Sequence, residues 1–208
     1  MNIGRFENQP IFVERMRKML NNNKMIYTIG QLKELNFSYY QINSMIKNGT
    51  LKKINRSHYE NLDYTGSFKE LAYVCANVPN GVICLLSAAS FYGLTNVRPL
   101  QIDIAINKND YIPPLPDFPP INIKYYNKKR HEAGIITIQD DHDNFRIYDL
   151  EKTVIDIIYY REKIGIEETK EVLMNYLSRK DRNFKKLLEY SRNFNCYTTI
   201  IKYMEVLL

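Results

Sequence analysis

Apolar positions recur at helical spacing twice within residues 27–49, YTIGQLKELNFSYYQINSMIKNG, and each run opens on a capping signal. Thr28 with Gln31 has the S/T-x-x-E/Q form of a capping box, and Tyr27 with Leu32 is spaced for a hydrophobic staple across the helix start. Ser38 with Gln41 repeats the box, and Phe37 with Ile42 repeats the staple. Only Asn36 and Phe37 separate the two patterns, so the pattern predicts helix, sharp turn, helix. On the second helix Ile42, Met45 and Ile46 cluster on one side. Tyr40, Asn43, Ser44 and Lys47 fall together on the other, at spacings of three, four and seven.

The flanking pattern builds a small domain around this pair. Phe12, Met16, Met19 and Leu20 predict a first helix over 11–20, ended by the polar run 21–24, and Met25 and Ile26 suit a short strand. Gly49 is placed as a left-handed helix stop. Residues 51–54 and 58–59 then read as two strands around a turn at 55–57, with Lys52, Lys53 and Arg56 on the hairpin or its tip. Residues 61–66 form a polar connection, and the domain boundary is set after residue 64.

Beyond it Phe68, Leu71, Ala72 and Cys75 predict a helix ended by Pro79, Asn80 and Gly81. VICLLSAASFYGL (82–94) is apolar nearly all round and reads as one buried helix closing at Gly93. Strands are expected at 102–106, 121–125, 135–139 and 145–148. The proline-rich PPLPDFPP (113–120) between the first two is a stiff connector or a polyproline ligand. Asp149 is placed to cap a helix with the stripe Leu150, Val154, Ile157, Ile158 and its stop at Gly165. Three further helices carry Val172, Leu173, Tyr176 and Leu177; then Phe184, Leu187 and Leu188; then Ile200, Ile201, Met204, Leu207 and Leu208. The expected class is α+β: an N-terminal winged helix-turn-helix over 1–64, then a larger α+β domain over 65–208 with a small sheet and a helical C-terminal third.

Charge sharpens the first of these. The chain of 208 residues carries a formal +6, and residues 1–64 hold ten Lys/Arg against five Asp/Glu, whereas residues 65–208 hold nineteen against eighteen. The excess therefore sits beside the helix-turn-helix, where it would attract a polyanion, and nucleic acid is the usual one. On the second helix Asn43 suits adenine edges, Ser44 base or phosphate, Lys47 phosphate or guanine, and the Tyr39 and Tyr40 hydroxyls a phosphate near the helix start. Gln31 and Gln41 join them as candidates at the two helix N-termini. Lys52, Lys53 and Arg56 would be a wing contacting backbone or minor groove; the plainer readings are a polar surface helix and an edge hairpin protected by charge. Lys128, Lys129 and Arg130 form the most basic run of the larger domain, a solvated loop or an additional DNA contact.

Other chemistry finds little footing. Cys75, Cys84 and Cys196 form no C-x-x-C pair, which suits buried thiols in a reducing compartment and neither a disulfide frame nor a zinc site. No signal-peptide core or membrane-length apolar run is present, so a cytoplasmic location, no membrane and no cofactor are expected. Ser87 and Ser90 lack a G-x-S-x-G surround. Asp140, Asp141, His142 and Asp143 fit a hairpin turn better than a metal site. A nucleotidyltransferase is the enzymatic alternative, with Gly66 and Ser67 ahead of a strand bearing Asp103, but Ala105 stands where a second magnesium-binding carboxylate belongs.

Three blocks, TIGQLKELNFSYYQINSMIKNGTLKKI (28–54), VICLLSAASFYGLT (82–95) and YDLEKTVIDIIYYREKIG (148–165), with RKD at 179–181, resemble in order and spacing the AbiEi antitoxin family of type IV toxin–antitoxin systems. The resemblance spans almost the whole chain. It implies a winged-helix repressor that binds inverted repeats in its own promoter. It also implies a larger domain that counteracts an AbiEii-type nucleotidyltransferase toxin without a stable complex. Family wings often carry glycine after the tip arginine; here Ser57 follows Arg56, and Asn55 would supply the left-handed turn instead. A stand-alone regulator without a toxin is the alternative. No coiled-coil heptad is present, so a monomer in solution that binds DNA cooperatively is expected.

Overall fold

Two sheets, one of three strands and one of five, organise this α+β chain in a computed structural model that describes residues 10–20, 24–64, 69–139 and 144–207. The chain divides into two compact units, residues 1–77 with 138–145 and residues 78–137 with 146–208.

In the first unit α1 (Pro10–Met19) precedes β1 (Ile26–Thr28), α2 (Ile29–Glu34), α3 (Tyr39–Lys47), β2 (Leu51–Lys53), β3 (His58–Asn61) and α4 (Lys69–Asn77). The sheet is antiparallel in the order β1-β3-β2, with Tyr27 opposite Tyr59 and Lys53 opposite Tyr59 on its other side. Because side chains alternate along a strand, Tyr27, Tyr59 and Leu51 share one face. They pack there with Met16, Leu20, Leu32, Phe37, Ile42 and Met45 of α1 to α3. The Tyr27 hydroxyl donates to the Leu20 carbonyl, tying β1 to the end of α1. Ile26 lies on the opposite face, against the cluster of Met25 and Tyr64 with Ala72 and Tyr73 of α4. The sheet is thus covered on both sides.

The second unit holds β4 (Val82–Ile83), α5 (Leu85–Phe91), β5 (Ile102–Asn107), β6 (Ile121–Tyr126), α6 (Lys128–Glu132), β7 (Ile135–Gln139) as far as residue 137 and β8 (Asn144–Tyr148) from residue 146. Then come α7 (Leu150–Tyr159), the single turn α8 (Arg161–Ile164), α9 (Ile166–Ser178), α10 (Phe184–Asn193) and α11 (Tyr197–Leu207). The strand order is β6-β5-β4-β8-β7, with β4 antiparallel to β5 and parallel to β8, and β5 parallel to β6. Every residue from Glu151 to Ile158 of α7 is buried, and α5, α9 and α10 pack on it. Gly134 lets the chain approach the head of α7: its φ is 75°, Asp149 N donates to its carbonyl at 2.8 Å, and a Cβ there would lie 2.8 Å from Asp149 Oδ2.

Several expectations are corrected. Residues 82–94 are not one helix: Val82 and Ile83 form the central strand, and α5 begins at Leu85 with φ 46°. Both a buried strand and a buried helix are apolar on every side, so periodicity could not separate them. Residues 128–132 form a helical turn capped by Asn127 rather than a loop. The helix from Leu150 breaks at Tyr160, ahead of Gly165. Met19 is 45% exposed, and α4 buries Tyr73 and Val74 while Leu71 and Cys75 stay half-buried. The expected roles of Gly66, Ser67, Phe68 and Leu208, of the side chains of Phe12 and Leu207, and of Asp140 to Asp143 lie outside the described residues.

Burial raises the phenol pKa of Tyr27 and Tyr160 to about 12 and also raises those of Tyr73, Tyr92, Tyr126, Tyr148, Tyr176 and Tyr190. The folded values lie above the unfolded 10.0, so this stability is fully present below pH 10 and is lost as pH rises through the folded values. Phenolate absorbance should therefore appear in two phases, with the second coinciding with loss of circular dichroism between about pH 10 and 12. A single non-cooperative phase near pH 10 with the fold intact contradicts this.

Candidate nucleic-acid interface

Local chemistry fixes the helix pair before any long-range packing does. Thr28 Oγ1 accepts from Gln31 N at 3.2 Å while Gln31 Oε1 accepts from Thr28 N at 3.0 Å. Ser38 Oγ accepts from Gln41 N at 3.3 Å while Gln41 Oε1 accepts from Ser38 N at 2.9 Å. Both boxes close, and the staple residues Tyr27, Leu32, Phe37 and Ile42 are all buried. Between the helices Asn36 takes φ 64°, with Phe37 N bonded to Leu32 O at 3.0 Å and Asn36 N to Lys33 O at 2.8 Å. That is a Schellman stop with asparagine in the left-handed position. Gly49, at φ 77°, closes α3 in the same way.

The caps decide what the glutamines can offer. The carbonyl oxygens of Gln31 and Gln41 are held by the helix starts, and both side chains are half-buried. Each is first a capping residue. Tyr39, Tyr40, Asn43 and Lys47 are exposed along α3, and Ser44 is half-buried beside them. Tyr39 is 61% exposed, with the Lys33 ammonium 4.4 Å from its ring centroid. Lys33 belongs to this face and was missed from sequence, because it reaches the face across the turn from α2. Its place in the last turn of that helix is the signal that could have found it.

At the hairpin tip Asn55 Oδ1 accepts from Ser57 N at 2.9 Å and from His58 N at 3.0 Å. Asn55 is absent from the positive-φ residues, so it shapes the tip by its side chain and not by a left-handed backbone. Arg56 projects from that tip, exposed. Lys52 and Lys53 are consecutive in β2 and leave it on opposite faces. Lys53 stands opposite Tyr59, on the face that packs against α1 to α3; Lys52 stands opposite Glu60, on the face under α4. The pair is therefore not one patch. Arg17 holds Asp63 at 2.9 Å and Lys69 holds Glu60 at 3.7 Å, while Lys47, Lys52, Lys53 and Arg56 have no ion-pair partner among the described residues. Burial lowers the pKa of His58, whose ring stands beside Asn55 and Ser57.

In the second unit the basic run divides. Lys128 and Lys129 are exposed, and Lys128 lies 3.8 Å from Glu132. Arg130 is buried and cannot reach an external phosphate: its Nη1 donates to Asp156 Oδ1 at 2.5 Å. Lys152 donates to the other oxygen of Asp156. Two buried cations thus share one carboxylate. Aromatic faces take up the excess charge, with Tyr148 at 4.1 Å and Phe194 at 5.1 Å from Lys152 Nζ, and Tyr159 at 3.7 Å from Arg130. Burial pulls the Lys152 ammonium below the usual lysine range, and Asp156 opposes that pull. Sequence reasoning missed this cluster; its local trace is the Lys152 and Asp156 pair one turn apart on a helix whose other polar residues are Glu151 and Thr153.

In residues 82–95, 148–165 and 179–181 several polar side chains hold this unit together. The Tyr92 hydroxyl donates to Tyr148 O at 2.8 Å, Arg179 Nη1 donates to Tyr92 O at 2.7 Å, and Arg179 grips Asp181 through two bonds of 2.8 Å. Asp103 serves α5 in the same spirit. Cys84 offers the helix no side-chain cap, and the Asp103 carboxylate takes a backbone bond from Leu86 and one from Asn122 Nδ2 at 2.8 Å, with Lys124 at 3.6 Å. Burial raises its pKa. Among the described residues no three His, Cys, Asp or Glu side chains gather as a metal ion would require, and no helix is long and apolar enough to cross a membrane. The chain matches no protein-family model and no curated protein sequence.

Proposed function

We propose that the chain is a transcriptional repressor whose residues 1–64 form a winged helix-turn-helix, reading inverted repeats in its own promoter. We further propose that its second unit makes it the antitoxin of a type IV system directed against a nucleotidyltransferase. The observation that carries the DNA-binding reading is the run of exposed polar and aromatic side chains on α3, followed at once by a hairpin whose exposed cations have no ion-pair partner among the described residues. A doubly capped second helix fits the major groove with its N-terminal residues toward base edges, and a basic hairpin beside it fits the backbone or minor groove. The antitoxin reading is supported by the AbiEi resemblance of residues 82–95 and 148–165.

The full chain should retard a duplex from its own upstream region in preference to random duplex of equal length at moderate salt, with retardation weakening as salt rises. Equal retardation of both duplexes overturns the repressor reading. Co-expression with an AbiEii-type nucleotidyltransferase should restore growth, and failure to restore it overturns the antitoxin reading while leaving DNA recognition standing.

A further inference from the structure

The five-stranded sheet ends at β6 on one side. Ile102 N donates to Pro120 O at 2.8 Å and Lys108 N to Tyr126 O at 2.9 Å, and the parallel register pairs Ile102 with Ile121 through Asn107 with Tyr126. In such a ladder the even-numbered residues of β6 turn their N–H and C=O toward β5, and Ile121, Ile123 and Tyr125 turn theirs outward. No backbone hydrogen bond from elsewhere among the described residues reaches those three. A strand edge left in this state is a template for another strand.

The ground beside that edge is a cleft of about 830 Å³. Leu100, 93% exposed, and Tyr125, 60% exposed, give it an apolar lip. Arg98, Lys124 and Lys163 line it, and Asp103 is its one carboxylate. Lys124 is shared with Asp103, whereas Arg98 and Lys163 are exposed and have no ion-pair partner among the described residues.

We propose that the outer edge of β6, together with this cleft, docks an extended acidic peptide segment of a partner protein, which adds to the sheet as a sixth strand. Three outward N–H and C=O pairs match a peptide backbone, and the cations meet acidic side chains that alternate with apolar ones over Leu100 and Tyr125. A nucleic acid has no amide backbone to complete the ladder. Pairing β6 with β6 of a second copy would bring the same cations face to face, which like-charge repulsion opposes. The proposal is independent of the DNA-binding reading, since it uses other residues and another ligand.

The test uses the full chain and a fluorescein-labelled heptapeptide, EVEVEVE, with KVKVKVK and a thymidine oligonucleotide as competing probes. Anisotropy should show EVEVEVE binding with a Kd on the order of micromolar, with amide hydrogen exchange slowed at 121–125. Ile123→Pro removes an outward donor and no ladder bond, a place where an edge strand tolerates proline. It should weaken the peptide about tenfold or more, as should Arg98→Glu with Lys163→Glu, which leaves the backbone untouched. Unchanged exchange at β6, unchanged affinity in the charge-reversed variant, or preference for KVKVKVK or the oligonucleotide each overturns the proposal. If Ile123→Pro does not fold, the charge-reversed variant decides.

Discussion

Asp156→Ala should be the most damaging single substitution in the second unit, lowering its unfolding free energy by about 3–5 kcal/mol. The carboxylate is the shared partner of Arg130 and Lys152, and all three groups are buried. Removing it leaves two cations facing each other inside the unit, where aromatic faces offset only part of their charge. Such a loss is a large fraction of the roughly 5–15 kcal/mol that holds a typical domain folded. Lys152→Met should act in the opposite sense: it leaves the Arg130 and Asp156 pair balanced, fills the same volume, and costs little or stabilises. Urea unfolding of the full chain separates the two. If Asp156→Ala and Lys152→Met shift the midpoint alike, the cluster responds to lost packing and not to unbalanced charge.

The other large effect is expected on DNA. Replacing Lys47, Lys53 and Arg56 together by alanine should reduce affinity for the promoter on the order of a hundredfold, and should shallow the slope of log K against log salt by about three. Each of the three is exposed and without an ion-pair partner among the described residues, so each is available to release a counterion. Lys52→Ala should do less, because Lys52 leaves β2 on the face under α4. Asn43→Ala should change which sequence is preferred, by about 1–3 kcal/mol at one base pair, without altering the salt slope. A salt titration of the triple variant that parallels the unaltered chain places the contact surface elsewhere.

What could be read from the sequence follows the distance over which each feature is decided. The two capping boxes and the Gly49 stop depend on residues within five positions of one another, and each stands in the structure as its spacing implies. The strands at 102–106, 121–125 and 135–139 were visible because alternation is local too, and the structure carries the first two one residue further. Val82 and Ile83 were not visible as a strand, because their identity comes from β5 and β8 on either side and not from their own composition. Arg130 looked like solvated charge beside two other cations; only the fold brings Asp156 to it from 26 positions away. The opposite faces of Lys52 and Lys53 were implicit in any strand, yet a basic run invites treatment as one patch. Gln31 and Gln41 show the reverse problem, since a capping role and a contact role are written with the same letters.

The helix α4 bears on how the chain could be cut. The region proposed to read DNA ends by residue 64, but Met25 and Tyr64 are buried against Ala72 and Tyr73 of α4. A fragment stopping at residue 64 would retain every proposed contact and still present a greasy underside to water, inviting self-association that could pass for cooperativity on DNA. A fragment carried through residue 77 keeps Ala72 and Tyr73 over Met25 and Tyr64, so that patch no longer faces water.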